Sequence, residues 1–248
     1  MPETTVQAIV LRRRDSGESD RRLTLLTLEL GKIDAVAKGA RKAASRLAGI
    51  SDPLSSATLG IAEGKVNRFV TQAQPIASFR GLRTDFERLS FGLALVELYA
   101  AVLPVEQPFP EAYELLNESL RHLERHAKPL IALLWAEAKL LEISGFMPQF
   151  DRCVVTGEPL AEANPFVSPR AGGYVADAVA GPYVDRFRTR AEALYGLARL
   201  PTLDAPPANM KFADEALADL LPFWQAIAEA PLPANEAVVR EARHKPTP

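Results

Sequence analysis

The chain changes its hydrophobic period at Thr84. Before that residue, apolar side chains fall in short runs broken by Gly, Asp, Ser and Lys. After it, they recur at helical spacing. The period of a segment fixes which face it can bury, so a chain written this way folds as a small β unit followed by helices, an α+β multidomain plan.

Five strand-like runs precede the switch. In residues 5–14, Val6, Ala8 and Val10 alternate with Gln7, then lead into Arg12-Arg13-Arg14. The cluster Asp15-Ser16-Gly17-Glu18-Ser19-Asp20 reads as a polar turn. Residues 21–29 are rich in Leu and Thr and read as a second strand, although their period also permits a helix. Gly31-Lys32 closes a hairpin into residues 32–38. The runs 54–62 and 65–73 meet at Glu63-Gly64-Lys65, another hairpin signal. Five short strands in about 75 residues fit a small barrel, and the OB-fold is the five-stranded barrel that binds oligonucleotides and oligosaccharides.

Thr84-Asp85-Phe86-Glu87 has the spacing of a capping box, which predicts a helix from there to about Leu103, ended by Pro104. It is apolar around much of its circumference, as a buried spine would be. A second helix is expected over 110–126, with Pro110 in its first turn, and a third over 129–144, opened by Pro129 and capped by Gly145. Residues 145–182 turn rich in Gly and Pro, with β-like pieces at Phe166-Val167-Ser168 and Gly173-Tyr174-Val175. Helical pattern returns over 186–199 and 209–229, where Pro222 is expected to kink or interrupt the helix. The Pro- and charge-rich end, 231–248, reads as a mobile tail.

Charge is distributed unevenly. Residues 1–81 hold 13 Lys and Arg against 8 Asp and Glu, and the remainder holds 16 against 23. A basic N-terminal unit on an acidic remainder suggests a polyanion as partner of the first part. The stretch Lys38-Gly39-Ala40-Arg41-Lys42-Ala43-Ala44-Ser45-Arg46-Leu47-Ala48-Gly49 is a linker between two strands with four cations and no acid. A solvated loop is the plain reading of such a run, and the surrounding barrel favours phosphate contact. The candidate DNA contacts are Arg12, Arg14, Arg21, Arg22, Lys38, Arg41, Lys42, Arg46, Lys65 and Arg68, with Arg13 and Arg80 as further cations. On a strand Arg12 and Arg14 share one face and Arg13 the other, so not all can line one groove. Phe69 is the sole aromatic residue between positions 5 and 78 and reads as core. Binding is therefore expected to rest on the backbone, tolerant of sequence and of duplex or single strand, with bases left unclamped.

Other clusters carry less. His122 and His126, with Glu118, sit at metal-compatible helical spacing but read better as a solvated face. Asp15, Glu18 and Asp20 could hold Mg²⁺ in a nuclease, and read better as a turn balancing neighbouring arginines. Cys153 lacks an evident base nearby. A single cysteine excludes an intrachain disulfide. No glycine-rich phosphate loop points to ATP. No apolar run approaches a membrane span and no secretion signal precedes the first strand, so a cytoplasmic location is expected.

The order of these pieces resembles the RecO family of bacterial recombination mediators. Ala8-Ile9-Val10-Leu11 with Gly17-Glu18-Ser19-Asp20-Arg21 is similar to the family's opening strand and turn. Lys38-Gly39-Ala40-Arg41-Lys42 with Ser45 and Pro53 is similar to its basic linker. Gly145-Phe146-Met147-Pro148-Gln149-Phe150-Asp151-Arg152-Cys153, with Phe166-Val167-Ser168 and Gly172-Gly173, is similar to its cysteine-bearing module. The resemblance implies an OB-fold domain over 1–80, a helical domain over 81–144 and 183–230, and a zinc-ribbon-like module over 145–182. It implies no catalysis and no cofactor. The implied role is binding of single- and double-stranded DNA and annealing of complementary strands. RecR and single-strand-binding protein are the implied partners, and loading of RecA the implied outcome.

The chain departs from that family at the metal site. Thr156 stands where the first Cys-x-x-Cys pair would end, and the second pair falls at or near Ala176 and Val179. Four Cys or His ligands are needed for a structural zinc ion, so Cys153 is a remnant ligand position and the module is expected to hold by packing of Phe166, Tyr174 and Val175. Two other readings remain open: a protein-interaction scaffold whose vestigial OB-fold no longer binds DNA, and a hydrolase with a carboxylate-bound metal.

Overall fold

The computed structural model describes residues 3–42, 45–228 and 230–244. Ala43 and Ala44 of the basic linker and the last four residues of the expected tail lie outside them. The chain divides into two compact units, Met1–Glu124 and Arg125–Pro248.

The first unit is built on a closed barrel of strands β1 (Glu3–Ser16), β2 (Asp20–Thr27), β3 (Gly31–Ala37), β4 (Ser56–Glu63) and β5 (Arg68–Ala77), paired in the order β1-β2-β3-β5-β4. β1 closes the barrel by pairing antiparallel with β4, and β3 meets β5 in parallel. This is an OB-fold-like barrel. Val6, Ala8, Val10, Leu23, Leu25, Ile33, Ala35, Leu59, Ile61 and Val70 fill its interior, as period-two alternation requires. Ile9 and Leu11 are buried as well, on the other face of β1, where helix α2 (Phe86–Val102) packs. Gly31, at φ 71°, lets the β2–β3 turn pass against the Gln107 carbonyl, which a Cβ would strike.

The helices of this unit depart from expectation at their start. A short helix, α1 (Arg80–Thr84), precedes α2, and Asp85 rather than Thr84 caps α2 by accepting the Arg88 N–H at 3.1 Å. The Thr84 hydroxyl instead donates to the Gly81 carbonyl of its own helix. Helix α3 (Pro110–Arg125) follows, amphipathic, with Tyr113, Leu116, Leu120 and Leu123 buried.

The second unit holds α4 (Pro129–Ile143), α5 (Ala191–Arg199), α6 (Ala213–Ile227) and α7 (Pro233–His244). α4 ends where expected: Gly145 at φ 76° donates to the Glu142 carbonyl and Phe146 to that of Leu141, a Schellman cap. Between α4 and α5 lies a small sheet of β6 (Phe166–Ser168), β7 (Gly173–Val175) and β8 (Phe187–Arg188), in the order β7-β6-β8. Gly173 meets Gln149 so closely that a Cβ would fall 2.1 Å from its carbonyl oxygen.

Pro222 lies inside α6 and does not interrupt it; Leu220, Phe223 and Trp224 are buried around it. A further expectation is corrected here. The end of the chain is not loose over its described part. α7 occupies Pro233–His244, with Leu232, Val238 and Val239 buried and α6 as its neighbour. Its low overall hydrophobicity concealed a narrow apolar stripe.

Candidate nucleic-acid interface

The register of β1 and β2 decides which arginines meet. A bulge between Val10 and Arg12 shifts the pairing so that Arg12 faces Thr24, Arg13 faces Leu23 and Arg14 faces Arg22. Leu23 points into the barrel, so Arg12, Arg14 and Arg22 share the outer face. Two like charges directly opposite are mutually destabilising, a cost with no gain to the free barrel.

That outer face continues into a groove of 480 Å³. Arg22, Thr24, Asp34 and Val36 form part of its floor, the β4–β5 turn with Lys65, Val66 and Asn67 one side, and Val105 and Glu106 another. Arg22 is steadied by a 2.9 Å bond to the Asn67 carbonyl oxygen of the side-chain amide. Arg68 lies between Glu63 and Glu106, 2.6 Å from each, which raises its pKa and neutralises its charge locally. Lys65, by contrast, is exposed.

Over its described residues the basic linker forms successive turns. Lys42, Ser45 and Ala48 donate backbone N–H groups to the carbonyls of Gly39, Lys42 and Ser45 in succession. Ala40 is buried in the barrel core, with Leu47 and Ile50 packed against it. The linker thus closes one end of the barrel with its apolar residues and turns Lys38, Arg41, Lys42 and Arg46 to solvent. Asp20 fixes its beginning, accepting the Gly39 N–H at 2.8 Å. That bond, with help from the Ser19 hydroxyl and the charges of Lys38 and Lys42, outweighs the cost of burial and lowers the Asp20 pKa.

The ten candidate contacts therefore fall into groups. Among the described residues, no carboxylate lies within ion-pairing distance of Arg12, Arg14, Arg22, Lys42, Arg46 or Lys65. Lys38 covers the ring of Phe69. Arg41 donates to the Gly17 carbonyl at 3.0 Å and pairs with Asp15 at 3.4 Å. Arg68 and Arg21 are held within the protein. Arg13 pairs with Asp52, and Arg80 is exposed. Sequence reasoning missed Ser51, Asp52 and Asn67 as the groups that hold this surface; the turn-prone triplet Ser51-Asp52-Pro53 was the available signal.

The remaining clusters show ordinary partners. Glu118 stands 3.5 Å from His122 along the helix, and Asp15 and Asp20 are tied to arginine and backbone groups. The Cys153 sulfur, 1% exposed, accepts from the Ala176 N–H at 3.3 Å. Burial pushes its thiol up, but the hydrogen bonds from Ala176, Thr156 and Val155 together pull it below its ordinary value. The residues at the related positions, Thr156, Ala176 and Val179, do not fit a zinc ion, since three of four ligands are missing. Among the described residues, no three His, Cys, Asp or Glu side chains gather as a metal site, and no helix is long and apolar enough to cross a membrane.

The family model for the N-terminal part of recombination protein O matches residues 1–79, and that for its C-terminal part matches residues 83–228. The chain belongs to the RecO family. Among curated relatives, the DNA repair protein RecO of Heliobacterium modesticaldum is 39% identical over 173 residues, which cover 68% of this chain and 63% of that protein. The DNA repair protein RecO of a Roseiflexus species is 38% identical over 181 residues, covering 73% and 63%. That of Bacillus pumilus is 36% identical over 169 residues, covering 68% and 65%. In each, the match spans a little under two thirds of the RecO relative.

Proposed function

We propose that this protein is a DNA repair and recombination mediator that binds DNA by its phosphates. The observation that carries the reading is the row Arg12, Arg14 and Arg22 on the outer face of the barrel, continued by Lys65 and by Lys42 and Arg46 of the linker. Each phosphate neutralised there releases counterions, giving affinity without sequence readout. The Phe69 ring is covered by Lys38, so the barrel offers no free aromatic platform among its described residues between positions 5 and 78. Bases held only through their backbone stay available for pairing, which suits annealing of complementary strands.

On this reading the protein has no catalytic step. It binds single- and double-stranded DNA, meets RecR and single-strand-binding protein, and helps RecA onto DNA. The small sheet after α4 serves as a zinc-ribbon-like module held by packing in place of metal. The test is annealing of complementary oligonucleotides, with and without RecR, at two salt concentrations. Faster annealing that weakens with salt is expected. Absence of salt-dependent DNA retention would leave an interaction scaffold with a vestigial barrel.

A further inference from the structure

Arg21 stands in the middle of the basic surface, yet its guanidinium does not face outward. Its side chain is only 16% exposed. One nitrogen, Nη1, lies 3.0 Å from the Ala48 carbonyl, 2.6 Å from the Ser51 hydroxyl and 3.3 Å from an Asp52 carboxylate oxygen. Its Nε is 3.8 Å from Asp15. The same Asp52 oxygen accepts from Arg13, and Asp15 also pairs with Arg41. Two carboxylates thus tie three arginines of β1, β2 and the linker into one chain of contacts. Ser51, 1% exposed, closes it by donating to the Ala48 carbonyl at 2.9 Å.

We propose that Arg21, through Ser51 and Asp52, is the positioning residue of the basic linker and not itself a phosphate ligand. The inference rests on the DNA-binding reading above. Held this way, the linker presents Lys42 and Arg46 in a fixed arrangement before any polyanion arrives, so less freedom is lost on binding. The planar fork of arginine suits several oxygen acceptors at once, which a lysine ammonium on a flexible stem does not reproduce.

Charge alone and positioning predict opposite signs for Asp52→Asn. Removing a carboxylate from a basic surface, and freeing Arg13, strengthens polyanion binding on electrostatic grounds. Loss of the anchor weakens it. We expect the full-length Asp52→Asn protein to bind a single-stranded oligonucleotide about tenfold more weakly, the scale of one charge-assisted hydrogen bond. Ser51→Ala, which changes no charge, is expected to weaken binding about threefold, on the scale of a neutral bond. Arg21→Lys, which keeps the charge, is expected to bind as poorly as Arg21→Gln.

Hydrogen exchange on the DNA-free protein supplies a readout independent of the ligand. The amides of Ala48 and Ser51 should exchange faster in Ser51→Ala and Arg21→Lys, while those of β2 and β3 are unchanged. Tighter binding by Asp52→Asn, or full affinity in both Arg21→Lys and Ser51→Ala, overturns the proposal. Should wild type show no salt-dependent binding, the functional reading fails by itself. Unchanged linker exchange in both variants would then still refute the anchor.

Discussion

The ammonium of Lys38 stands 4.3 Å above the centre of the Phe69 ring. The parallel pairing of Val36 with Phe69 brings the ring next to the end of β3, where Lys38 begins the linker. The half-buried ring is therefore a support for a cation and not a seat for a base. We expect Phe69→Leu to leave affinity for a single-stranded oligonucleotide within about threefold, whereas a stacked base would cost about 1–3 kcal/mol. Fluorescence anisotropy titrations decide between the two.

Glu137 supplies a pH prediction for the second unit. It is 1% exposed, accepts from the Trp224 indole N–H at 2.8 Å, and has no hydrogen-bond partner for its other oxygen among the described residues. Burial pushes its pKa up to about 8, against the weaker lowering effect of the indole. The unfolded chain ionises near 4.5, so above that pH unfolding releases a proton. The sign follows: this group lowers stability as pH rises from there to about 8, by at most about 1.4 kcal/mol per unit. Asp219, raised to about 6 mainly by burial, acts in the same direction but over a lower range. Urea unfolding followed by tryptophan fluorescence should therefore show stability falling between pH 6.5 and 8. Glu137→Gln should flatten that fall while keeping the bond to Trp224.

The barrel was legible because its strands alternate and its turns carry Gly and Asp. Strand ends were less so. The fourth strand begins at Ser56 because Leu54, at φ 68°, is fully buried outside it. The fifth begins at Arg68 because Lys65 to Asn67 form the turn. For the interface, composition located the cations but not their partners. Arg21 and Arg22 are neighbours of one type. One points to the linker and one to the groove, because a strand sends them to opposite faces and Asp52 comes from 31 residues away. Long-range pairing of that kind leaves no local pattern.

The terminal helix gives a stability prediction. Val238 of α7, the neighbour of α6, is 2% exposed. Val238→Ala should cost about 2 kcal/mol, and removal of residues 231–248 more. Thermal melts read by tryptophan fluorescence test this, since Trp224 lies on α6. A mobile tail would leave the melting temperature unchanged.

Cys153 gives a fourth. Its sulfur accepts from the Ala176 N–H, and the side chains of Thr156, Ala176 and Val179 supply no thiol or imidazole for a metal. Incubation with a strong zinc chelator should leave the melting temperature unchanged. The thiol should react with a disulfide reagent only when the protein is unfolded, because access limits it even though its pKa is lowered.

On the proposed function, exposed cations on the barrel hold DNA by its phosphates. The direct measurement is the dependence of oligonucleotide affinity on salt for wild type and for the triple variant Arg14→Ala, Lys42→Ala, Lys65→Ala. A linear fall of log affinity with log salt is predicted, with the slope reduced by about 2 in the variant, as three lost single-strand phosphate contacts require. An unchanged slope and affinity in the variant would contradict the account.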